Sequence, residues 1–150
     1  MSGPIVTIKH ITDAYGSQKD PKLDLLKNFN GLTLRLLVVL LRMESEASHS
    51  SLSQFNILRA FSDYLERKQI PTEAPCIVLD RLNTLLMYSF LRVARQDKRD
   101  SNRTMYSLDV TVDVMLQMEF SAEHGNLREE LMQIKNNQRR REAEDSLALL

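Results

Sequence analysis

The 150-residue sequence has little of what cross-links or interrupts a chain: one cysteine, four glycines, four prolines and no tryptophan. Because the single thiol of Cys76 forms no internal disulfide, we expect a reducing compartment, the cytosol or the nucleus. The longest unbroken apolar run, residues 36–41, is far shorter than the roughly 20 residues of a membrane span. The N-terminus lacks the charged and apolar regions of a signal peptide, so we expect no membrane partner.

Net charge is also missing, since 20 lysines and arginines balance 20 aspartates and glutamates. Nucleic-acid-binding domains usually carry a basic excess, so such a function has to depend on a local patch. There is no glycine-rich phosphate loop, and Cys76, His10, His49 and His124 show neither metal-ligand spacing nor a nucleophile–base pair. The composition therefore predicts one non-enzymatic domain without metal or cofactor, and a buried or half-buried thiol at Cys76.

Positive charge is nevertheless concentrated in one stretch, residues 92–103. Apolar and polar residues alternate on both sides of it, at 91–94 and 106–110, with the period of half-buried β-strands. The polar link 96–103 is long enough for an open, mobile loop. The sequence thus predicts a small antiparallel β-hairpin with a cationic tip. Offset only by Asp97 and Asp100, the basic residues are Arg92, Arg95, Lys98, Arg99 and Arg103.

Helical periodicity is strongest over residues 32–43, where leucines and valines cover almost the whole circumference. Only Arg35 and Arg42 mark a wet side, so we expect this helix at the centre of the core. Ser51 and Gln54 fit a capping box that opens a second helix. The apolar positions that this second helix is predicted to bury are Leu58, Phe61 and Leu65.

A third helix follows, for which Thr72 is the predicted N-cap. Its inward stripe, at helical spacing, consists of Val78, Leu82 and Leu85. A shorter helix near residue 112 is predicted to be capped by Thr111, and another short helix is predicted at residues 7–15.

Two surfaces are candidates for protein partners. The outward face of the third helix carries two carboxylates and no lysine or arginine, and Ile77 and Met87 on it resemble a protein contact. After Gly125 a charged final helix has only a thin apolar stripe, which we predict to be a second interface. That stripe consists of Leu127, Leu131 and Ile134.

The order of these elements predicts the fold class: mainly α with a small antiparallel β-hairpin, a winged helix with extra N- and C-terminal helices. The hairpin is the wing, and the third helix holds the recognition position. We divide the chain into an entry segment, residues 1–15, a winged-helix domain, residues 16–120, and a charged C-terminal helix or tail, residues 121–150.

Several segments carry a resemblance to a known family. "LTLRLLVVLLRM", "LRAFSDYLERKQI", "LDRLNTLLMYSFLRVAR" and "MYSLDVTVDVML" resemble the C-terminal winged-helix domain of the origin-recognition and replication-licensing ATPases, and "VTIKHITDA" resembles the helix that leads into it. The resemblance covers residues 5–120 and depends mainly on spacing. The family often carries a glycine before its second strand, where this chain has Met-Tyr-Ser-Phe at 87–90.

The resemblance implies a nuclear protein at replication origins, with duplex DNA, sister subunits and the replicative helicase as partners. In the wing, Arg92, Arg95, Lys98, Arg99 and Arg103 can neutralise phosphates. From the third helix we add Arg81, Asn83 and Thr84 as candidate DNA contacts. Because that helix also carries carboxylates, we expect weak, largely sequence-independent binding through the wing. The alternative is a winged-helix module that binds only protein.

Overall fold

The computed structural model describes residues 21–46, 52–118, 120 and 124–148. This part of the chain is mainly helical, with one small antiparallel sheet. The helix predicted at 7–15 lies outside the described residues, and so does Ser51. The predicted domain limits remain predictions.

The described chain has the following elements in order. The first two helices are α1 (Pro21–Leu26) and α2 (Gly31–Glu46). A short strand, β1 (Leu52–Ser53), leads into two more helices, α3 (Gln54–Arg67) and α4 (Pro75–Met87). A hairpin follows. It consists of strands β2 (Leu91–Arg95) and β3 (Met105–Leu108), with a 3₁₀ turn (Ser101–Arg103) between them. Two helices complete it, α5 (Val112–Leu116) and α6 (Gly125–Ala148).

The sheet has the order β1-β3-β2, and both pairings are antiparallel. Leu91 pairs with Leu108 at the base of the hairpin, and an irregularity between Val93 and Arg95 shifts the register near its tip. The predicted hairpin is thereby confirmed. The pairing of β1 with β3 was not predicted, because a two-residue strand contains no readable alternation.

Helix α2 lies at the centre of the core, as predicted. Leu36, Leu37 and Leu40 have no exposed surface, and the helix packs against α3, α4 and α6. Burial of one such side chain stabilises the fold by roughly 1.5–3 kcal/mol. The expected wet side is confirmed, because Arg35 and Arg42 are partly exposed whereas residues 36–41 between them are all buried. The Arg42 guanidinium carbon lies 5.9 Å from the centroid of the Tyr64 ring of α3.

Helix starts agree with the sequence in part. The Thr111 hydroxyl accepts a hydrogen bond from the Val114 amide, so the predicted cap of α5 is confirmed. The cap of α3 is Ser53 rather than the predicted Ser51, because strand β1 runs directly into this helix.

Helix α4 begins two residues later than predicted. Its N-cap is Ala74 rather than Thr72, because Pro75 occupies the first helical position, where the missing amide hydrogen costs nothing.

The final helix packs on the body through the stripe that was predicted to bind a partner. Leu127, Leu131 and Ile134 are all buried in the core of this chain. The prediction that they form a protein interface is wrong, because α2 and α5 already cover this face of α6. Further along α6, the Arg141 guanidinium donates to backbone carbonyls of Ser45 and Glu46, where α2 ends.

A buried polar cluster accompanies that stripe. Glu130 of α6 is 6% exposed, and its Oε2 accepts a hydrogen bond of 2.7 Å from the Tyr64 hydroxyl. Its Oε1 accepts no hydrogen bond of good geometry, but the Lys68 Nζ lies 2.6 Å away and neutralises it. We call Tyr64, Lys68 and Glu130 the anchor cluster, because it joins α6 to the end of α3.

Candidate nucleic-acid interface

The hairpin leaves the body through a tight helix end. The Phe90 amide donates to the Leu85 carbonyl at 2.9 Å, which closes the last turn of α4. Ser89, between them, has φ 63°, the left-handed conformation that favours glycine. Phe90 is fully buried and packs edge-on against Phe29, with ring centroids 5.1 Å apart, so the base of the hairpin is held firmly.

Strand β2 is buried only where it begins. Leu91 is buried, whereas residues 92–95 are exposed and Val93 keeps 47% of its surface in water. The predicted buried face therefore ends after one residue, because β2 is an edge strand of the sheet and its side chains beyond Leu91 are not covered. These side chains of β2 consequently face solvent.

The tip is organised by its own carboxylates. The Asp97 Oδ1 accepts hydrogen bonds from the backbone amides of Arg99 and Asp100, at 2.9 and 3.2 Å. The Asp100 Oδ1 accepts one from the Asn102 amide at 3.0 Å and caps the 3₁₀ turn. The predicted open loop is thus a pair of hydrogen-bonded turns. Both acids stabilise the backbone more than they neutralise nearby cations.

The basic side chains of the hairpin lie in solvent. Arg103 is 3.7 Å from an Asp100 oxygen, and its side chain is 78% exposed. Among the described residues, the exposed Arg92, Arg95, Lys98 and Arg99 form no ion pair. A depression of about 540 Å³ at the tip is lined by Arg95, Lys98, Arg99 and Arg103, together with Gln96, Asp97 and Met105. We use the name cationic wing for the five basic residues Arg92, Arg95, Lys98, Arg99 and Arg103.

Comparison with known proteins adds nothing to this geometry: no protein-family model matches the chain, and no similar curated protein was found. None of the described helices combines the length and the apolar character needed to cross a bilayer. Within the same residues, no cluster of three histidine, cysteine or carboxylate side chains is arranged to hold a metal ion.

The outer face of α4 differs from the cationic wing. Ile77 and Met87 are exposed, Met87 to 74%, and Asn83 and Asp80 are exposed on the same helix. Cys76 is exposed as well, so the expected burial of its thiol is wrong: the residue lies in the first turn of α4, whose N-terminal end is not covered. This face offers an acid and apolar side chains, but no cation for a phosphate.

Two predicted DNA contacts lie elsewhere. The Thr84 hydroxyl donates to the Asp80 carbonyl within α4, at 3.1 Å. Arg81 and Thr84 line a cleft, with Tyr88, that faces the turn between α1 and α2. We therefore remove them from the set of DNA contacts and keep Asn83, which is exposed.

The sequence analysis missed Phe55. This side chain is 53% exposed in the first turn of α3 and lines a hollow with Asn102 and Arg103 of the hairpin. It lies off the buried stripe of Ile57, Phe61 and Leu65, which is the signal that could have found it.

Proposed function

We propose that this chain is a winged-helix module of a DNA replication-initiation assembly. It contacts duplex DNA through the cationic wing and docks partner subunits through the outer face of α4. The resemblance to the origin-recognition and licensing ATPases supplies the biological setting: the nucleus, sister subunits and the replicative helicase.

The order of elements supports the winged-helix assignment. A core helix, a short strand, two helices and a hairpin follow one another as α2, β1, α3, α4, β2 and β3. The strand order β1-β3-β2 agrees with this assignment. Helix α4, directly before the hairpin, then occupies the recognition position.

The proposal depends on one observation: the cationic wing is exposed and almost free of intramolecular partners. Arg95, Lys98 and Arg99 lie beyond the buried part of the hairpin and form no ion pair with described residues. A phosphate bound there does not have to displace an existing partner. Each neutralised phosphate contributes about 0.9 to the salt dependence of binding.

Helix α4 contributes little to DNA affinity. Its outer face brings Asp80 towards the position that phosphates take in a groove, and it has no cation of its own. We therefore expect binding that is weak and largely independent of sequence, strengthened in the assembly by effective concentration.

Charge reversal at the tip tests the proposal. Fluorescence anisotropy with a random-sequence duplex at low salt compares the natural chain with the double variant Lys98→Glu/Arg99→Glu. We expect at least a tenfold loss of affinity and a salt slope lower by about 2. The matched control is Arg139→Glu/Arg140→Glu, an adjacent exposed pair on α6 with the same charge change.

Two results contradict the proposal. The first is an unchanged affinity in the wing variant. The second is an equal loss in the wing variant and in the control, which indicates attraction by overall charge rather than contact by the wing. The setting is tested separately: chromatin immunoprecipitation of the tagged protein is expected to enrich replication origins, and uniform recovery across the genome contradicts it.

A protein-only module is the second candidate, and the outer face of α4 favours it. Exposed Ile77 and Met87 beside Asp80 fit a protein contact better than a phosphate backbone. A salt titration of the natural chain with duplex DNA separates the two. A protein-only module shows no binding even at low ionic strength, whereas a DNA module loses affinity steeply as salt rises.

A further inference from the structure

The cleft between α4 and the turn that joins α1 to α2 contains a guanidinium group that is only partly satisfied. Arg81 reaches into this cleft, and its Nε is buried without a hydrogen-bond partner. The nearest carboxylate, on neighbouring Asp80, lies 3.5 Å from Nη2, and its side chain is 67% exposed. That distance exceeds the 2.7–3.2 Å of a good N–H···O hydrogen bond, so Asp80 provides only a loose ion pair.

A buried donor without a partner is costly, and native proteins rarely retain one without a reason. The lining of the cleft suggests the reason. Phe29 and Tyr88 form an aromatic wall, with ring centroids 5.8 Å apart. Asn28 adds a polar amide, and the free volume is about 220 Å³.

We propose that this cleft binds the carboxylate of an acidic side chain in a partner peptide. A carboxylate is planar, and it matches the parallel N–H bonds of the two Nη atoms, which are the atoms left for a ligand because Nε is buried while the side chain as a whole is 31% exposed. Among the described residues that line the cleft, Arg81 alone is charged, which suits a single negative charge. A dianionic phosphate normally needs more cations than this.

The flanking surface indicates a peptide rather than a free acid. Tyr88 lines the cleft and is 44% exposed, so apolar surface continues from the pocket to its rim. A residue next to the bound acid can cover that surface. This site is separate from the cationic wing and does not depend on DNA binding.

The Arg81 Nε–H NMR signal provides the direct test on the full chain. The probes are N-acetyl-glutamate N-methylamide, its glutamine analogue, inorganic phosphate, and an acetylated, amidated pentapeptide with one glutamate flanked by leucines. We expect saturable movement of the Arg81 signal with both glutamate probes, and tighter binding of the pentapeptide. The glutamine analogue should leave the signal in place.

Two variants complete the test. Arg81→Gln is expected to weaken pentapeptide binding by about tenfold or more, since charge-assisted hydrogen bonds are lost. Arg59→Gln, at an exposed position on α3, should bind like the natural chain. If Arg81→Gln does not fold, the Arg81 Nε–H signal of the natural chain still tests the proposal. An unmoved signal, equal movement with the glutamine analogue, or stronger binding of phosphate overturns the proposal. Pentapeptide binding no tighter than the single amino acid also overturns its peptide part.

Discussion

The anchor cluster and the cationic wing are built from similar residues and have opposite properties. In the anchor cluster, Glu130 is buried and contacts both Tyr64 and Lys68 at less than 3 Å. In the cationic wing, Lys98 and Arg99 are exposed, and neither forms an ion pair with a described residue. The difference teaches where charge serves structure and where it remains available for a ligand: buried charges need partners, and exposed charges do not.

The anchor cluster also keeps the Tyr64 phenol neutral. Burial, together with the hydrogen bond to Glu130, raises the pKa of Tyr64 well above its ordinary value. The hydroxyl therefore remains a donor at every pH at which the protein is handled. Lys68 lies over the same ring, 5.9 Å from its centroid, and adds a cation–π contact.

The largest effect is expected from Glu130→Ala. Removing Glu130 leaves the Tyr64 hydroxyl buried without its acceptor, whereas the Lys68 side chain is 41% exposed and is solvated, so we expect a loss of about 2–4 kcal/mol in the free energy of unfolding. Urea denaturation measures it, and exposed Glu129→Ala is the matched control, within about 0.5 kcal/mol of the natural chain. A loss below about 1 kcal/mol would contradict the conclusion that Glu130 stabilises the contact between α6 and the end of α3.

Tyr64→Phe should have the next largest effect. It keeps the ring packing and removes the hydrogen bond to a charged acceptor, which is worth roughly 1.5–3 kcal/mol. A double-mutant cycle with Glu130→Gln isolates the pair. Additive losses in that cycle would show that the two side chains are not coupled.

Ser89→Gly should stabilise the protein, at the junction between body and wing. Ser89 has a positive φ, which costs a residue with a Cβ about 1–2 kcal/mol. Glycine raises the conformational entropy of the unfolded chain, which offsets part of this gain. We therefore expect the free energy of unfolding to rise by about 0.5–1 kcal/mol, as measured by thermal or urea unfolding. Ser107→Gly, in strand β3 without a positive φ, is the control and should destabilise. Destabilisation by Ser89→Gly would contradict this account of the junction.

The smallest effect on stability is expected from Lys98→Glu/Arg99→Glu. Both side chains are exposed, and neither forms an ion pair within the described part of the chain, so the free energy of unfolding should change by no more than about 0.5 kcal/mol. The same variant is expected to lose DNA affinity, which separates the two roles of charge. A loss of more than 1 kcal/mol would place the wing cations among the structural residues and remove the contrast with the anchor cluster.

Local pattern allowed a large part of the fold to be predicted. The hairpin and the apolar stripe of α4 follow from periodicities of 2 and 3.6 residues, and the cap at Thr111 follows from side-chain chemistry. The basic residues of the cationic wing were found because they are contiguous in sequence. These features depend only on neighbours along the chain.

Errors arose where a residue's surroundings come from distant parts of the chain. The stripe of α6 looks like a free interface until α2 is packed against it, and Arg81 looks like a DNA contact until the turn between α1 and α2 is placed beside it to form a cleft. In the same way, the thin stripe beside Glu130 gives no sign of Tyr64, 66 residues earlier.

The sequence by itself determined which segments become helices or strands and where positive charge accumulates, because both are set by residues a few positions apart. Only the tertiary structure decided which of those charges have partners. A charged group in a small domain gains or loses its partners through packing between distant segments. The same packing that buries Glu130 leaves Lys98 in water and holds Arg81 in a cleft.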